Sequence, residues 1–422
     1  MKKVAYVLCP HEPYKDPRVS FEIDELKAVY NVIAIGILTS FEKKSEKTQS
    51  NYKLLLLDLK KNAWKKQIID FFNLINNYTK SKTLRLVNYV LKLFYVTDMY
   101  KLLFRLIPQY QKFNHLLYEL SYSIPLIKNS DIPNKKPYLV QANDVYTLLA
   151  GVILKTEHNS KLIYDSHELY PESIPSSPEY LKHYLWLTEK SLIGYADTVF
   201  AVTPQIAKKM EDDYKLKKIK VLPNAEKWKD HKIDYFNVRK VVFLYQGGFL
   251  PERGLEELIE QWKHVDHDKA ILYMRGPKNS FLNKLKELAK EQIDNKSLIF
   301  LDSVTEDVQV EMMKGADVGI IPYLPTSLNN KYSCPNKLSQ YMQAGLALLS
   351  NKLDFIESLV KKKRIGLIYD LNDRSSLLKC IKTLLDREKL DNFKKNSYNY
   401  GKIYFNWDVI KNIYIREIRV KD

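Results

Sequence analysis

The stretch VVFLYQGGFLPERGLEELIEQW, Val241 to Trp262, runs from an unbroken apolar segment through Gly247-Gly248 and Arg253-Gly254 into a pattern with Leu255, Leu258, Ile259 and Trp262 on one face. An apolar run without polar alternation reads as a strand buried on both sides, as in a parallel sheet. The spacing of three and four that follows reads as an amphipathic helix. Two adjacent glycines let backbone amides approach a ligand, and Arg253 can present a two-pronged donor to phosphate. An ordinary tight turn would look the same, so the wider pattern has to decide.

On either side the same grammar repeats. KVAYVLC, VIAIGI, YLVQAND, KLIYDS, DTVFAVT and IKVLPN read as strands before Asn224, with helical stretches between several of them. After the charged connector AEKWKDHKIDYFNVRK come VVFLYQGG, AILYMRG, SLIFLD, DVGIIPY, LALLSN and GLIYD. Two series of apolar strands separated by helices predict an α/β protein with two doubly wound, Rossmann-like domains facing a central cleft. Ligands in such sheets bind beyond the carboxyl ends of the strands, so the loops there are the place to look for function.

A chain of 422 residues exceeds what one core usually serves, which agrees with two domains. The formal charge of +17 favours an anionic partner such as nucleic acid, an acidic membrane or a phosphorylated small molecule. Cys9, Cys334 and Cys380 are far apart and form no CxxC, so neither a disulfide framework nor a zinc site is indicated, and a cytoplasmic location is expected. The apolar run of MKKVAYVLCP is too short for a signal peptide, and no apolar segment is long enough to span a bilayer.

One region interrupts the alternation. Between Lys61 and Lys136 stand thirteen Lys and Arg against four acids, so this segment carries +9 of the total. Within it, Arg85, Asn88, Lys92, Tyr95, Asp98, Lys101 and Arg105 recur at steps of three or four, a polar stripe beside a broad apolar face. Such a helix can lay its apolar face on the core and its charges in water. It can also lie on an anionic membrane, with Lys and Arg at the headgroups and Tyr, Phe and Leu dipping in.

A second loop sharpens the first. In SCPNKLSQYMQAG, Pro335 suits a first helical turn, Ser333 or Cys334 stands where a cap belongs, and Gly345 can end the helix. Unpaired amides at that start carry partial positive charge and Lys337 adds a full one, a place for an anion. A capped surface helix with a solvated lysine is the plainer alternative.

Taken together and in order, DPRVSFEIDELK, YDSHELYPES, ADTVFAVTPQIAKKM, VLPNAE, YQGGFLPERGLEELI, FLDSVTEDVQVEMMKGADVGIIPY, YSCPNKLSQYMQAGLALL and YFNWDV resemble the GT-B glycosyltransferases of family 4. The likeness spans nearly the whole chain except Lys61 to Lys136. It implies an acceptor-side domain over residues 1–228 with a basic helical insertion near 61–136. A nucleotide-sugar domain would follow over 229–395, and a C-terminal helix over 396–422 would cross back to the first domain. It implies Arg253 as the diphosphate partner, with Lys337, Asn336 and the amides near Cys334 and Pro335 facing the diphosphate or the transferred sugar. Gly247, Gly248, Tyr332, Ser333 and Gln340 complete the donor side.

By the same resemblance His167 matches a histidine near the reacting sugar, although beside Asp165 and Glu168 it could be structural. Asp144 follows a strand and either binds acceptor or caps the next helix; Glu168 falls on the acceptor side. The sequence departs from the family at three places. Gln340 and Tyr332 stand near where two glutamates are common, and Gly248 replaces a common arginine. An amide at Gln340 can still bond a ribose hydroxyl, so Gln340→Glu is expected to tighten donor binding.

The resemblance thus implies a retaining glycosyltransferase that uses a nucleotide diphosphate sugar and needs neither metal nor cofactor, and the basic amphipathic region adds the expectation of a surface-glycan or lipid-linked acceptor at an anionic membrane surface. No DxD, HExxH or clustered His and Cys site is present, and no nucleic-acid module is recognised. The alternative is a non-catalytic GT-B subunit that supports an active glycosyltransferase or recognises a glycosylated substrate. A sugar-nucleotide epimerase or a phosphorylase on the same architecture is a more distant one.

Overall fold

The computed structural model describes residues 2–38, 52–57, 64–100, 109–128, 135–173, 177–230, 240–305 and 308–419. The chain divides into two compact units, Met1–Leu222 with Lys411–Asp422, and Pro223–Ile410.

The first unit is built on a parallel sheet of seven strands: β1 (Val4–Cys9), β2 (Asn31–Ile37), β3 (Lys53–Leu57), β4 (Leu139–Asn143), β5 (Lys161–Ser166), β6 (Thr198–Ala201) and β7 (Lys220–Val221). They lie in the order β3-β2-β1-β4-β5-β6-β7. The direction of winding therefore reverses between β1 and β4, and the carboxyl ends of those two strands open a crevice for a ligand. β3, which follows a polar, charge-rich stretch and sits at the sheet edge, is a strand the sequence reading omits.

The second half of the helix Trp407–Ile418, from Lys411 on, belongs to this unit. Tyr414 is fully buried, packs its ring at a tilt against Phe200 and donates its hydroxyl to Gln141, whose amide in turn donates to Glu22 at 2.5 Å. Tyr30 donates to the carbonyl of Ile418 at 2.6 Å.

The second unit repeats the plan with β8 (Val241–Gln246), β9 (Ala270–Gly276), β10 (Leu298–Asp302), β11 (Val318–Ile321), β12 (Ala347–Asn351) and β13 (Gly366–Tyr369). The order is β10-β9-β8-β11-β12-β13, all parallel, with the reversal between β8 and β11. The helix Leu255–Trp262 buries Leu255, Leu258, Ile259 and Trp262 against Phe243, Leu272 and Leu298, and the Trp262 indole donates to the Ser297 carbonyl. Its inner face is the one its spacing predicts.

The basic region departs from the first orientation the sequence offers, the one with its apolar face on the core. Its helix runs Lys82–Val96, capped by Ser81, and ends before Asp98, which adopts φ 59°. Lys101 and Arg105 lie outside the described residues. The buried face is Leu84, Asn88, Leu91 and Tyr95, so two members of the polar stripe point inward. Asn88 donates to Asn76 and accepts from Tyr184, and Tyr95 donates to Asn114 at 2.6 Å. Neighbouring helices satisfy these groups inside, which removes the cost of burying them. The apolar side chains Leu86, Tyr89, Val90, Leu93 and Val96 face solvent instead.

Candidate functional site

In the second unit the elements after β8 and β11 bring two cations together. Gly254 at φ 64° stands so close to Pro322 that a Cβ there would lie 2.2 Å from its carbonyl oxygen, and Leu324 donates to the Glu252 carbonyl at 3.0 Å. This tight approach docks the turn Pro251–Arg253 against the end of β11. The Arg253 guanidinium consequently lies over the Tyr323 ring, 3.8 Å from its centre.

Lys337 enters from the other side, in the first turn of the helix Asn336–Gln343. Its ammonium is 4.7 Å from the Tyr323 ring centre and 4.4 Å from that of Tyr245. Gly247 makes room: it sits at φ 147°, and a Cβ there would come within 2.8 Å of Lys337 Nζ. The Lys337 side chain is only 7% exposed, and its ammonium is buried without a hydrogen-bond partner among the described residues. Burial, and then the neighbouring Arg253 charge, hold it well below the usual lysine range. A desolvated ammonium beside a guanidinium, with aromatic faces as company, is poised for an incoming anion.

The helix start differs in detail from the expected one. Pro335 is itself the capping residue, with φ −69° and ψ 144°, and no side chain caps the helix. Ser333 donates backward to Asn330 at 2.9 Å, and the Cys334 carbonyl accepts from Asn224 at 2.9 Å. Both are thereby held as structure around the turn rather than as a cap. Asn336 opens the helix, and Tyr332 ends the preceding short helix Leu328–Tyr332. Gly345 at φ 74° ends the Asn336–Gln343 helix, with Gly345 donating to Met342 and Leu346 to Tyr341, a closed left-handed stop.

Gln340 has a partner the sequence does not reveal. Its Nε2 donates to Glu226 Oε1 at 2.8 Å, while the Glu226 amide donates to Ser339 Oγ at 3.1 Å. A carboxylate from the connector thus stands beside the amide. Gly248, by contrast, is open: a Cβ there would meet only Leu250, at 3.9 Å.

In the first unit the ends of β4 and β5 and the turn before the helix Pro17–Val29 converge on His167. Its Nε2 lies 3.0 Å from Asp165, and its Nδ1 lies 3.4 Å from Asp16 and 3.3 Å from Asp144. Burial alone would lower the imidazole, but Asp144 and Asp165 outweigh it, so His167 is raised well above its ordinary range and stands as an imidazolium. Behind it Arg18 holds Asp165 through Nε at 2.8 Å and Nη2 at 2.5 Å, and donates to the Leu222 carbonyl. Against burial, Arg18 and His167 keep Asp165 below the usual carboxylate range.

Asp144 occupies φ 67° and ψ 156°, a region costly for any residue with a Cβ. Its side chain does not cap the following helix Val145–His158; it accepts from Tyr170 and faces His167. Glu168 is exposed beside this cluster. Asp16 caps the helix Pro17–Val29 through the amides of Arg18 and Val19 and is lowered to about 2, burial being outweighed by His167.

Asp16, Arg18, Tyr245, Tyr323 and Glu226 are thus part of these two clusters without having been singled out. Asp16 had a signal in its Asp-Pro-Arg start, since Asp before Pro is a frequent cap. The other four carry no local signature, because only the winding of each sheet brings them to the loops.

Among the described residues no group of three or more His, Cys, Asp or Glu is arranged to hold a metal ion, and no helix is long and apolar enough to cross a membrane.

Comparison with known proteins places these clusters in context. The family model described as glycosyl transferases group 1 matches residues 240–387, and that described as Glycosyltransferase Family 4 matches residues 93–225. No curated protein matches the chain. Among solved structures, a sucrose-phosphate synthase from Thermosynechococcus elongatus superposes with a TM-score of 0.68 at 13% identity, covering 99% of this chain and 98% of that one. Anabaena Alr3699/HepE in complex with UDP and glucose gives 0.65 at 14% identity, covering 99% of each. A glycosyltransferase from Rickettsia africae gives 0.61 at 13% identity, again covering 99% of each. At such identities the superpositions speak for the fold, while the two family models take in the loops that carry Arg253, Lys337, Asp144 and His167. The chain is a glycosyltransferase of GT-B architecture and belongs with the family 4-like enzymes.

Proposed function

We propose that this glycosyltransferase transfers a sugar, with retention and without a metal, from a nucleotide diphosphate sugar to a surface-glycan or lipid-linked acceptor at an anionic membrane face inside the cell. The observation that carries the donor assignment is the buried Lys337 ammonium, without a hydrogen-bond partner among the described residues and repelled by Arg253. A diphosphate would relieve both penalties at once and would gain the helix-start amides near Asn336. The departing diphosphate needs positive charge as its bond to the sugar breaks, and two cations already positioned supply it without reorganisation. Anabaena Alr3699/HepE, similar in fold, was captured with UDP and glucose, which agrees with such a donor.

On the acceptor side, His167 is a charged post that orients Asp16 and Asp144, and Asp144 is the group set to receive an acceptor hydroxyl. Gly247, Gly248, Tyr332, Ser333, Cys334, Pro335 and Gln340 shape the donor side, and Glu168 flanks the acceptor. A scaffold without donor chemistry would have no use for a desolvated lysine, which argues against the non-catalytic alternative.

The test is transfer and hydrolysis against a panel of sugar nucleotides, in the presence of a chelator, for the wild type, Arg253→Ala and Lys337→Ala. The expected result is donor consumption insensitive to chelation, a product with the donor's anomeric configuration, and a loss of about a hundredfold or more in each variant. A wild type that binds and consumes no donor would sink the proposal.

A further inference from the structure

The Lys82–Val96 helix is amphipathic in the reverse sense for a helix packed on a soluble domain. Its inward residues, Leu84, Asn88, Leu91 and Tyr95, are all buried, two of them polar and satisfied by hydrogen bonds. Its outward ridge is apolar, with Leu86 65%, Tyr89 60%, Val96 54%, Leu93 46% and Val90 42% exposed. Met99, just beyond, is 47% exposed. Isolated exposed leucines need no explanation, but a ridge on one helix marks a contact surface.

The charges on this helix choose the occupant. It carries Lys82, Arg85 and Lys92 and no acid, within a segment whose balance is +9. Pairing with a second copy through the same ridge would set these cations against themselves. An anionic lipid surface meets both halves of the pattern, because headgroups take the cations while the acyl boundary takes Leu, Val and the body of Tyr89.

We propose that the outward face of the Lys82–Val96 helix inserts into anionic membrane, seating the enzyme by burial of Leu86, Tyr89, Val90, Leu93 and Val96 with Lys82, Arg85 and Lys92 at the headgroups. This rests on the reading of a membrane-facing enzyme and adds to it the element that enters the lipid. The inward polar contacts explain why the helix keeps this orientation. Turning it over would expose Leu84 and Leu91 and strip Asn88 and Tyr95 of their partners.

The test is co-sedimentation of the full chain with phosphatidylcholine vesicles containing or lacking about a third phosphatidylglycerol, at low and high salt. The wild type should bind the anionic vesicles and leave most of that binding behind when salt is raised. The variant Leu86→Gln, Val90→Gln, Leu93→Gln changes only outward positions, so it should melt at the wild-type temperature and bind about tenfold or more weakly. The variant Lys82→Gln, Arg85→Gln, Lys92→Gln should bind weakly and lose salt sensitivity.

If the apolar variant bound as the wild type does, adsorption would be by charge alone; insertion by this helix would be wrong while the membrane reading stood. If the wild type ignored anionic vesicles, both would fall. A concentration-dependent dimer abolished by the apolar variant would assign the ridge to a second copy and overturn the proposal.

Discussion

The amide of Gln340 donates to the carboxylate of Glu226 at 2.8 Å, and this pairing determines what a glutamate at position 340 would do. The sequence alone expects Gln340→Glu to add a carboxylate for a ribose and tighten donor binding. The structure adds a second carboxylate already in hydrogen-bond reach, so the substitution exchanges a bond for a like-charge contact. We expect Gln340→Glu to lose roughly 1–3 kcal/mol of unfolding free energy at neutral pH, with the loss shrinking in mild acid as the two groups share a proton. Urea denaturation at two pH values reads this directly. An undiminished stability at neutral pH would mean the Glu226 contact is immaterial.

Donor binding should draw in a proton. Lys337 is held well below the ordinary lysine range by burial and by Arg253, so part of it is neutral at alkaline pH, and a bound diphosphate restores the ammonium. Nucleoside diphosphate affinity should therefore fall as pH rises through the value of the unliganded lysine. Calorimetry in buffers of different ionisation enthalpy should show net proton uptake for the wild type and none for Lys337→Met. Affinity flat across that range would detach Lys337 from the ligand.

The two adjacent glycines should respond oppositely to substitution. Gly248 has open space and no left-handed backbone, so Gly248→Arg should be tolerated and should tighten nucleoside diphosphate binding by about 1–2 kcal/mol through an added charged donor. Gly247 has φ 147° and the Lys337 ammonium 2.8 Å from where a Cβ would sit, so Gly247→Ala should weaken it. Equal effects of the two in a binding titration would contradict this geometry.

Acid should weaken the first unit through the cluster around Asp165. Asp16, lowered to about 2, and Asp165, lowered further, contribute stability that is present above the ordinary carboxylate value of about 4 and is lost as pH falls through their folded values. His167 works in the other direction. Its contribution is complete below the ordinary imidazole value and is lost only as pH rises through a much higher folded one. Removing Arg18 leaves a fully buried carboxylate short of its main partner, so Arg18→Met should cost roughly 3–5 kcal/mol at neutral pH. Chemical denaturation of the two proteins between pH 3 and 8 checks both statements.

The strands that line each crevice were legible because burial on both faces leaves apolar runs rich in Val, Ile and Leu, and twelve of the thirteen strands among the described residues were anticipated. β3 escaped although Leu54–Leu57 is itself an unbroken apolar run, because it stands among charge-rich stretches, and its place at the sheet edge leaves it only partly buried. Arg253, Lys337 and Gly247 were legible from loop composition, and the structure brings them together around Tyr323 and Tyr245, whose roles depend on packing between distant segments. The Lys82–Val96 helix was recognised as amphipathic, but periodicity gives two faces without saying which one turns inward. Asn88 and Tyr95 decided that through partners on three other helices, information that no local window contains.

The helix Trp407–Ile418 has a consequence for how the protein is born. Its Tyr414 and Ile418 finish the hydrogen bonding of Gln141 and Tyr30, and Lys411 pairs with Glu25 at 3.3 Å, yet these residues follow the whole second sheet in the chain. On the ribosome the first sheet therefore emerges with the face that carries Gln141 covered only in part, by the helix Pro17–Val29, and the second unit can fold completely before the first is sealed. Pauses or chaperone contacts during synthesis should fall while that face waits, and a fragment stopped at Leu222 should be the sticky one.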